Sequence, residues 1–145
     1  MRTVYLDTSA FMRGMVPDAT GHEAALAILC AADLRLVSSE LLWLEASRTA
    51  IRLAHEVPGR PDISEVVNEA LDHIAVIPLN STTIATARAI PEVIKSLDAI
   101  HVAAAESIRE GLDSVVTCDQ TMVRVLTGRG IKAVTPEGFW AEPGT

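Results

Sequence analysis

Short apolar segments alternate with helical segments along the whole chain, and this alternation strongly constrains the fold. Candidate strands, rich in β-branched residues, cover residues 3–7, 34–39, 75–79, 114–118 and 131–135. Apolar periodicity and capping residues predict helices over 9–15, 21–33, 39–55, 62–74, 81–90, 96–112 and 119–130. Strands that alternate with helices form parallel sheets covered on both faces. We therefore expect one α/β domain over residues 1–145, with a five-stranded parallel sheet between helical layers and an irregular segment after residue 135.

Composition narrows the class of protein. With 145 residues, 49% of them apolar, the chain can build a hydrophobic core. The lack of a long apolar run predicts no membrane span, and we expect the first residues to form a strand and not a signal peptide. Cys30 and Cys118 lie in apolar segments, which predicts buried free thiols and a cytoplasmic location. A net charge of −7 disfavours a simple electrostatic nucleic-acid binder but suits a metal-dependent nuclease, because metal-binding acids contribute to that charge.

Two carboxylates come at the ends of predicted strands. Asp7 ends strand 3–7, and Asp119 directly follows strand 114–118. Ligands of open α/β sheets bind beyond the carboxyl ends of the strands, so these acids would face each other if the two strands are neighbours. Each acid also has a structural explanation as a helix N-cap. Asp119 fits that role well, whereas Asp7 is the weaker candidate because Ser9 competes for it.

Two further carboxylates lie in predicted helices. Asp98 is at the start of one helix, where its carboxylate can point toward the same crevice; alternatively, Ser96 caps the helix and the dipole favours an acid in its first turn. Glu45 interrupts an apolar run of the longest helix, near Arg48 and Arg52. It is either a partly buried acid beside cations that can meet a phosphate, or half of a surface pair with Arg48.

The order and context of these four acids resemble the PIN-domain ribonucleases, and among them the VapC-type toxins of prokaryotic toxin–antitoxin pairs. The resemblance covers nearly the whole chain. It is carried by four segments, VYLDTSAFMR, SSELLWLEASR, SLDAIHVAAA and VVTCDQTM. The family fold is a PIN-like three-layer α/β/α sandwich, which agrees with the fold expected from the strand and helix pattern.

The resemblance implies an acidic pocket that binds Mg²⁺, with Mn²⁺ as a substitute, and that cleaves single-stranded or looped RNA. It also implies a homodimer and neutralisation by a small antitoxin protein. Six residues would form the site: the metal ligands Asp7, Asp98 and Asp119, the water-activating Glu45, and Ser9 and Thr117, whose hydroxyls support the carboxylates. Magnesium prefers oxygen ligands, so the donor set is chemically consistent.

Several other residues and functions stay open. Candidate phosphate contacts are Arg13, Arg48, Arg52 and Lys95, although each is also explained as a solvated surface charge. His101 is interpreted as a hydrogen-bonded structural histidine. One alternative function is a Mg²⁺-dependent aspartyl phosphatase with Asp7 as nucleophile, although such enzymes usually carry a second acid two residues later, where Ser9 stands. The other is a non-catalytic module, either receiver-like or a PIN fold that only binds a partner.

Overall fold

A five-stranded, all-parallel sheet forms the centre of the structure, a computed structural model that describes residues 1–142. The strands are β1 (Arg2–Leu6), β2 (Leu34–Ser39), β3 (Ala75–Ile77), β4 (Ser114–Val116) and β5 (Ala133–Val134). Their order across the sheet is β3-β2-β1-β4-β5, and every neighbouring pair is parallel. The predicted parallel sheet is thereby confirmed, with strands shorter than predicted at the sheet edges.

Helices follow each strand, as the alternation predicts. They are α1 (Thr8–Met15), α2 (His22–Cys30), α3 (Leu41–Glu56), α4 (Ser64–Leu71), α5 (Ser81–Arg88), α6 (Ser96–Ser107), α7 (Gln120–Gly128) and α8 (Pro136–Ala141). The helix predicted over 96–112 ends earlier, at Ser107, and a 3₁₀ turn over Arg109–Gly111 completes that segment.

Helix α8 corrects the prediction of an irregular segment after residue 135. The Thr135 hydroxyl accepts a hydrogen bond from the Gly138 N–H at 3.0 Å, and Pro136 occupies the first turn. An N-cap threonine followed by proline is a favourable helix start, so the signal for α8 is present in the sequence. Residues 143–145 of the predicted irregular segment lie outside the described residues.

The strands bury both faces, which gives the core two halves. Along β1, Val4 and Leu6 enter one apolar cluster, whereas Tyr5 enters the other. This follows from the two-residue side-chain period of a strand. Helices cover both clusters, so the sheet is the middle layer of the three predicted layers. The first cluster includes Phe11, Ile28, Leu42, Val67 and Phe139, and the second includes Val102, Met122 and Leu126.

The strand order creates a switch point beside β1. The chain passes from β1 to β2 and β3 on one side, then returns to place β4 on the other side of β1. The carboxyl ends of β1 and β4 are therefore adjacent, and they frame the crevice in which open α/β sheets bind ligands. The structure thus meets the condition under which Asp7 and Asp119 face a common space.

The expectation for the cysteines is wrong in one respect. Cys30 is exposed at the end of α2, because it lies on the solvent side of a short helix, and Cys118 is partly buried. Both are free thiols. Among residues 1–142, no helix is both long and apolar enough to cross a membrane.

Helical phase gives a direct test of this packing on α3. Leu42 is fully buried, whereas Leu44 is 62% exposed. Leu42→Ala should lower the free energy of unfolding by roughly 2–5 kcal/mol, because it leaves a cavity under the sheet. Leu44→Ala, the matched control, should change it by less than about 0.5 kcal/mol. Urea denaturation followed by circular dichroism measures both, and equal effects would contradict the assigned faces of α3.

Candidate active site

Asp7 is held rigidly at the end of β1. Its Oδ1 accepts hydrogen bonds from the Ala10 N–H at 3.0 Å and the Ser9 hydroxyl at 2.7 Å, and its Oδ2 accepts one from the Thr117 hydroxyl at 2.5 Å. The residue is only 3% exposed. Asp7 is therefore the N-cap of α1, and the expectation that Ser9 competes for this role is wrong. The Ser9 hydroxyl instead donates to the capping carboxylate.

Ser9 and Thr117 also fix the loop after β4. The Ser9 hydroxyl accepts from the Cys118 N–H at 2.9 Å, and the Thr117 hydroxyl accepts from the Asp119 N–H at 3.1 Å. Each hydroxyl therefore donates to Asp7 and accepts from the loop that carries Asp119. The ends of β1 and β4 are joined by side chains as well as by the sheet.

Asp119 caps α7, as its structural explanation predicts. Its Oδ1 accepts from the Thr121 N–H at 2.8 Å and the Met122 N–H at 3.4 Å. Both hydrogen bonds end on Oδ1. Oδ2 accepts no hydrogen bond from the described residues, 1–142, and can make another contact. Capping and a second role at the crevice are therefore compatible.

Asp98 is in the first turn of α6 and shares the environment of the other two aspartates. The N-cap is Lys95 rather than Ser96, because the helix begins at Ser96 itself. Partial burial raises the pKa of Asp98, and the negative charges of Asp119 and Asp7 raise it further. The positive charge of Lys95 acts in the opposite direction but does not cancel this effect. The three aspartates, distant in sequence, thus interact electrostatically.

The aspartates do not form a closed metal site as they stand. No group of three or more His, Cys, Asp or Glu side chains within residues 1–142 is arranged to hold a metal ion. Like charges without a counterion repel one another, so carboxylates of this kind have no reason to converge further on their own. Asp7, Asp98 and Asp119 are the residues that could hold a cation, through a small number of direct contacts.

Glu45 is bound from two sides within the protein. Its Oε1 accepts from the Thr8 hydroxyl at 2.5 Å and lies 2.9 Å from His101 Nε2. The alternative of a surface pair with Arg48 is wrong, because Glu45 is partly buried and faces His101. Burial alone would raise the pKa of Glu45, but hydrogen bonds from His101 and Thr8 outweigh it and lower the pKa. Glu45 is therefore ionised at neutral pH.

The sequence did not indicate a role for Thr8 or Tyr5, and it indicated only a structural role for His101. Thr8 binds Glu45, and the buried Tyr5 hydroxyl lies 2.7 Å from His101 Nδ1. His101 is buried and hydrogen-bonded, as interpreted from the sequence, but its contact with Glu45 was not foreseen. The available signals were weak: Thr8 directly follows Asp7, and His101 is a polar residue among buried alanines of α6.

The candidate phosphate contacts differ in their placement. Arg13 donates to the Thr20 carbonyl at 2.6 Å and lies close enough to Cys118 to lower its pKa, although burial keeps that pKa raised overall. Lys95 is exposed beside Asp98. Arg48 is exposed, and Arg52 pairs with Glu56 at 3.7 Å, so both are explained as surface charges of α3.

Comparison with known proteins gives consistent matches. The PIN domain family model matches residues 4–126. Ribonuclease VapC47 of Mycobacterium tuberculosis is 32% identical over 128 residues, which span 86% of this chain and 88% of that protein. Among solved structures, VapC20 of M. tuberculosis, described as a sarcin-ricin loop cleaving toxin, gives a TM-score of 0.66 at 14% identity over 92% of this chain and 99% of that one. A toxin–antitoxin complex from Klebsiella pneumoniae gives 0.65 at 19% identity over 92% and 97%.

The negative charges around Asp98 predict that removing its own charge stabilises the folded protein. Because the pKa of Asp98 is raised in the folded state, its ionisation opposes folding above the ordinary carboxylate pKa. Asp98→Asn should therefore raise the Tm of the metal-free protein by a few degrees at neutral pH. The gain should disappear at about pH 3, where Asp98 is protonated in both states.

Scanning calorimetry in EDTA measures this difference. Asp33→Asn, at an exposed position, controls for the loss of one negative charge and should leave the Tm unchanged. A lower Tm for Asp98→Asn at neutral pH would show that Asp98 is stabilised by its surroundings instead of repelled by them.

Proposed function

The chain belongs to the PIN-domain family, and on this basis we propose that it is a VapC-type ribonuclease, the toxin of a toxin–antitoxin pair. The single observation that carries this proposal is the convergence of Asp7 and Asp119 at the adjacent ends of β1 and β4, with Asp98 near enough for both charges to act on it. Its 32%-identical relative is named as a ribonuclease, and the match covers 88% of that protein. This similarity supports the same activity. The reaction would be hydrolysis of RNA phosphodiester bonds.

We further propose that Mg²⁺, or Mn²⁺ in its place, binds at Asp7, Asp98 and Asp119. The donors are all carboxylate oxygens, which Mg²⁺ prefers, and a cation would relieve the repulsion that raises the pKa of Asp98. Magnesium usually keeps several waters, so Asp7 and Asp98 can bind it directly while Asp119 binds it directly or through a water. A preformed group of three ligands, which residues 1–142 lack, is then not required. When bound, such an ion neutralises phosphate charge and increases the acidity of a bound water.

Two side chains of the protein, Glu45 and Asp7, would have distinct roles in the reaction. Glu45 is ionised and anchored through Oε1, so its Oε2 can accept a proton from the attacking water or orient that water. Asp7 accepts three hydrogen bonds, and a carboxylate has about four lone-pair sites, so one direction remains for a ligand. Its rigidity would fix the position of whatever binds there.

The alternative functions are less well supported. Ser9 stands where aspartyl phosphatases usually carry a second acid. A non-catalytic module would require neither a partly buried, ionised Glu45 nor an Asp98 whose pKa is raised by the charges of Asp119 and Asp7.

The proposed function also implies partners for the protein. RNA is the proposed substrate, in single-stranded or looped form, with Arg13 and Lys95 as the better placed phosphate contacts. A structural neighbour is a toxin–antitoxin complex, which supports a small antitoxin as partner. A homodimer stays a prediction, supported by a groove between α5 and α6 lined by Ile84, Ile94 and Ile100. Free thiols support the predicted cytoplasmic location.

Metal-dependent RNA cleavage tests the proposal directly. The purified protein, freed of any antitoxin, should cut 5′-labelled RNA with Mg²⁺ or Mn²⁺ and lose this activity in EDTA. Glu45→Gln should reduce the rate by about 100-fold or more, because an amide cannot accept the proton. Asp7→Asn and Asp98→Asn should have similarly large effects through the metal.

The matched control is Glu56→Gln, an exposed position on α3 whose partner is Arg52. It removes the same charge from the same helix and should cut RNA at the parental rate. A second readout needs no turnover: Mn²⁺ should raise the Tm of the parent more than that of Asp98→Asn. Parental cleavage by the Asp7 and Asp98 variants, or a stable phospho-aspartate on Asp7, would refute the nuclease mechanism.

A further inference from the structure

We propose that Tyr5 and His101 are positioning residues for Glu45: a one-way series of hydrogen bonds fixes the carboxylate in the orientation its role requires. This inference rests on the proposed function, because it assigns the two residues to the reaction of that site. The evidence is the geometry of three contacts, two of them buried and the third partly buried.

The series joins three elements that are far apart in sequence. The Ser39 N–H at the end of β2 lies 3.2 Å from the Tyr5 hydroxyl of β1. That hydroxyl lies 2.7 Å from His101 Nδ1 on α6, and His101 Nε2 lies 2.9 Å from Glu45 Oε1 on α3. The Tyr5 and His101 rings pack edge to face, with centroids 5.8 Å apart.

The direction of the hydrogen bonds follows from Glu45. An ionised carboxylate can only accept, so His101 Nε2 carries a proton and donates it to Oε1. In the neutral imidazole, Nδ1 is then the acceptor, and the Tyr5 hydroxyl donates to it. The Tyr5 oxygen in turn accepts from the Ser39 N–H, which can only donate.

The opposite tautomer would leave buried groups without partners. With the proton on Nδ1, the Nε2 lone pair would face the lone pairs of Glu45 Oε1. Thr8 cannot satisfy Nε2 instead, because its hydroxyl lies 3.3 Å from that atom and already donates to Glu45 at 2.5 Å. Tyr5 is 0% and His101 2% exposed, so water cannot compensate, and the error would be costly.

Burial keeps water away from the Tyr5 hydroxyl. Tyr5 is 0% exposed, and besides His101 its hydroxyl contacts the Ser39 N–H and the side chain of Ser38 at the end of β2. The Ser38 hydroxyl itself donates to the Leu6 carbonyl of β1 at 2.6 Å. Both groups belong to the sheet, which fixes the position of the phenol.

Two fixed donors on one carboxylate oxygen have a functional consequence. Thr8, which follows Asp7, and His101 both contact Oε1, so the carboxylate is held from the β1 end and from α6. Oε2 is then fixed in orientation, and in the proposed reaction it is the oxygen that would accept from the attacking water. Catalytic geometry is sensitive to displacement, since a shift of about 1 Å can cost about 100-fold in rate.

Tyr5→Phe is the most selective test, because it removes one oxygen from a buried ring. With Mg²⁺ and a hairpin RNA whose loop the parent cuts, kcat should fall about tenfold. KM should stay within about twofold, because RNA binding does not involve Tyr5. Ser107→Ala is the control: it deletes a 2.6 Å hydrogen bond to the Ala104 carbonyl on the same helix α6 and should retain the parental kcat.

Two substitutions of His101 separate the hydrogen bond from packing. Gln fills a similar volume and keeps a donor near the position of Nε2, whereas Leu fills it without a donor. His101→Gln should therefore retain clearly more kcat than His101→Leu. Equal kcat values for the two variants, or a parental kcat for Tyr5→Phe, would overturn the inference while Glu45→Gln and the metal requirement still support the nuclease.

The tautomer of His101 is measurable without turnover. Long-range ¹H–¹⁵N NMR correlations of the metal-free protein should show the proton on Nε2 in the parent and a mixture of tautomers in Tyr5→Phe. A proton on Nδ1 in the parent would overturn the inference. A parent that has the expected tautomer but cuts no RNA would count against the proposed function and not against the hydrogen-bond order.

Discussion

The carboxylate of Asp7 ties the end of β1 to the end of β4, and the rest of the site depends on this connection. It caps α1 through Ala10 and accepts hydroxyl protons from Ser9 and Thr117. Those hydroxyls in turn accept from the backbone of the loop that carries Asp119. One buried acid thus fixes a helix start, a strand pair and the neighbouring acid. Such an anchored group moves little when charge builds up around it, which suits a preorganised site.

The site combines two kinds of polar residue that are costly in different ways. The ionised form of Asp98 is destabilised by partial burial and by the negative charges of Asp119 and Asp7. Glu45 is partly buried but stabilised, because Thr8 and His101 supply donors that offset its desolvation. The first arrangement favours a cation from outside the protein, and the second is satisfied from within. This contrast is the physical basis for assigning Asp98 to a metal and Glu45 to water.

The alternation of strands and helices predicted the parallel sheet, because apolar strands buried on both faces have few other ways to pack. The errors came where local signals competed. Helix α8 was missed although Thr135 and Pro136 mark its start, because so short a segment has little apolar periodicity. The sequence favours Ser9 over Asp7 as the N-cap of α1, which is wrong. Both residue types are good caps, and only the contacts in the structure distinguish them. Cys30 was expected to be buried because the neighbouring residues are apolar, but the phase of α2 exposes it.

The sequence alone determined the three-layer fold and the identity of the four acids, since both follow from local pattern and from motifs that resemble one family. The tertiary structure decided what each acid touches. Glu45 pairs with His101, 56 residues away, and His101 with Tyr5, 96 residues away. Such pairings depend on how α3 and α6 pack against opposite faces of the sheet, which periodicity does not encode. Local sequence can place a polar residue in a buried helix, but only the packed structure supplies the partner that makes its burial tolerable.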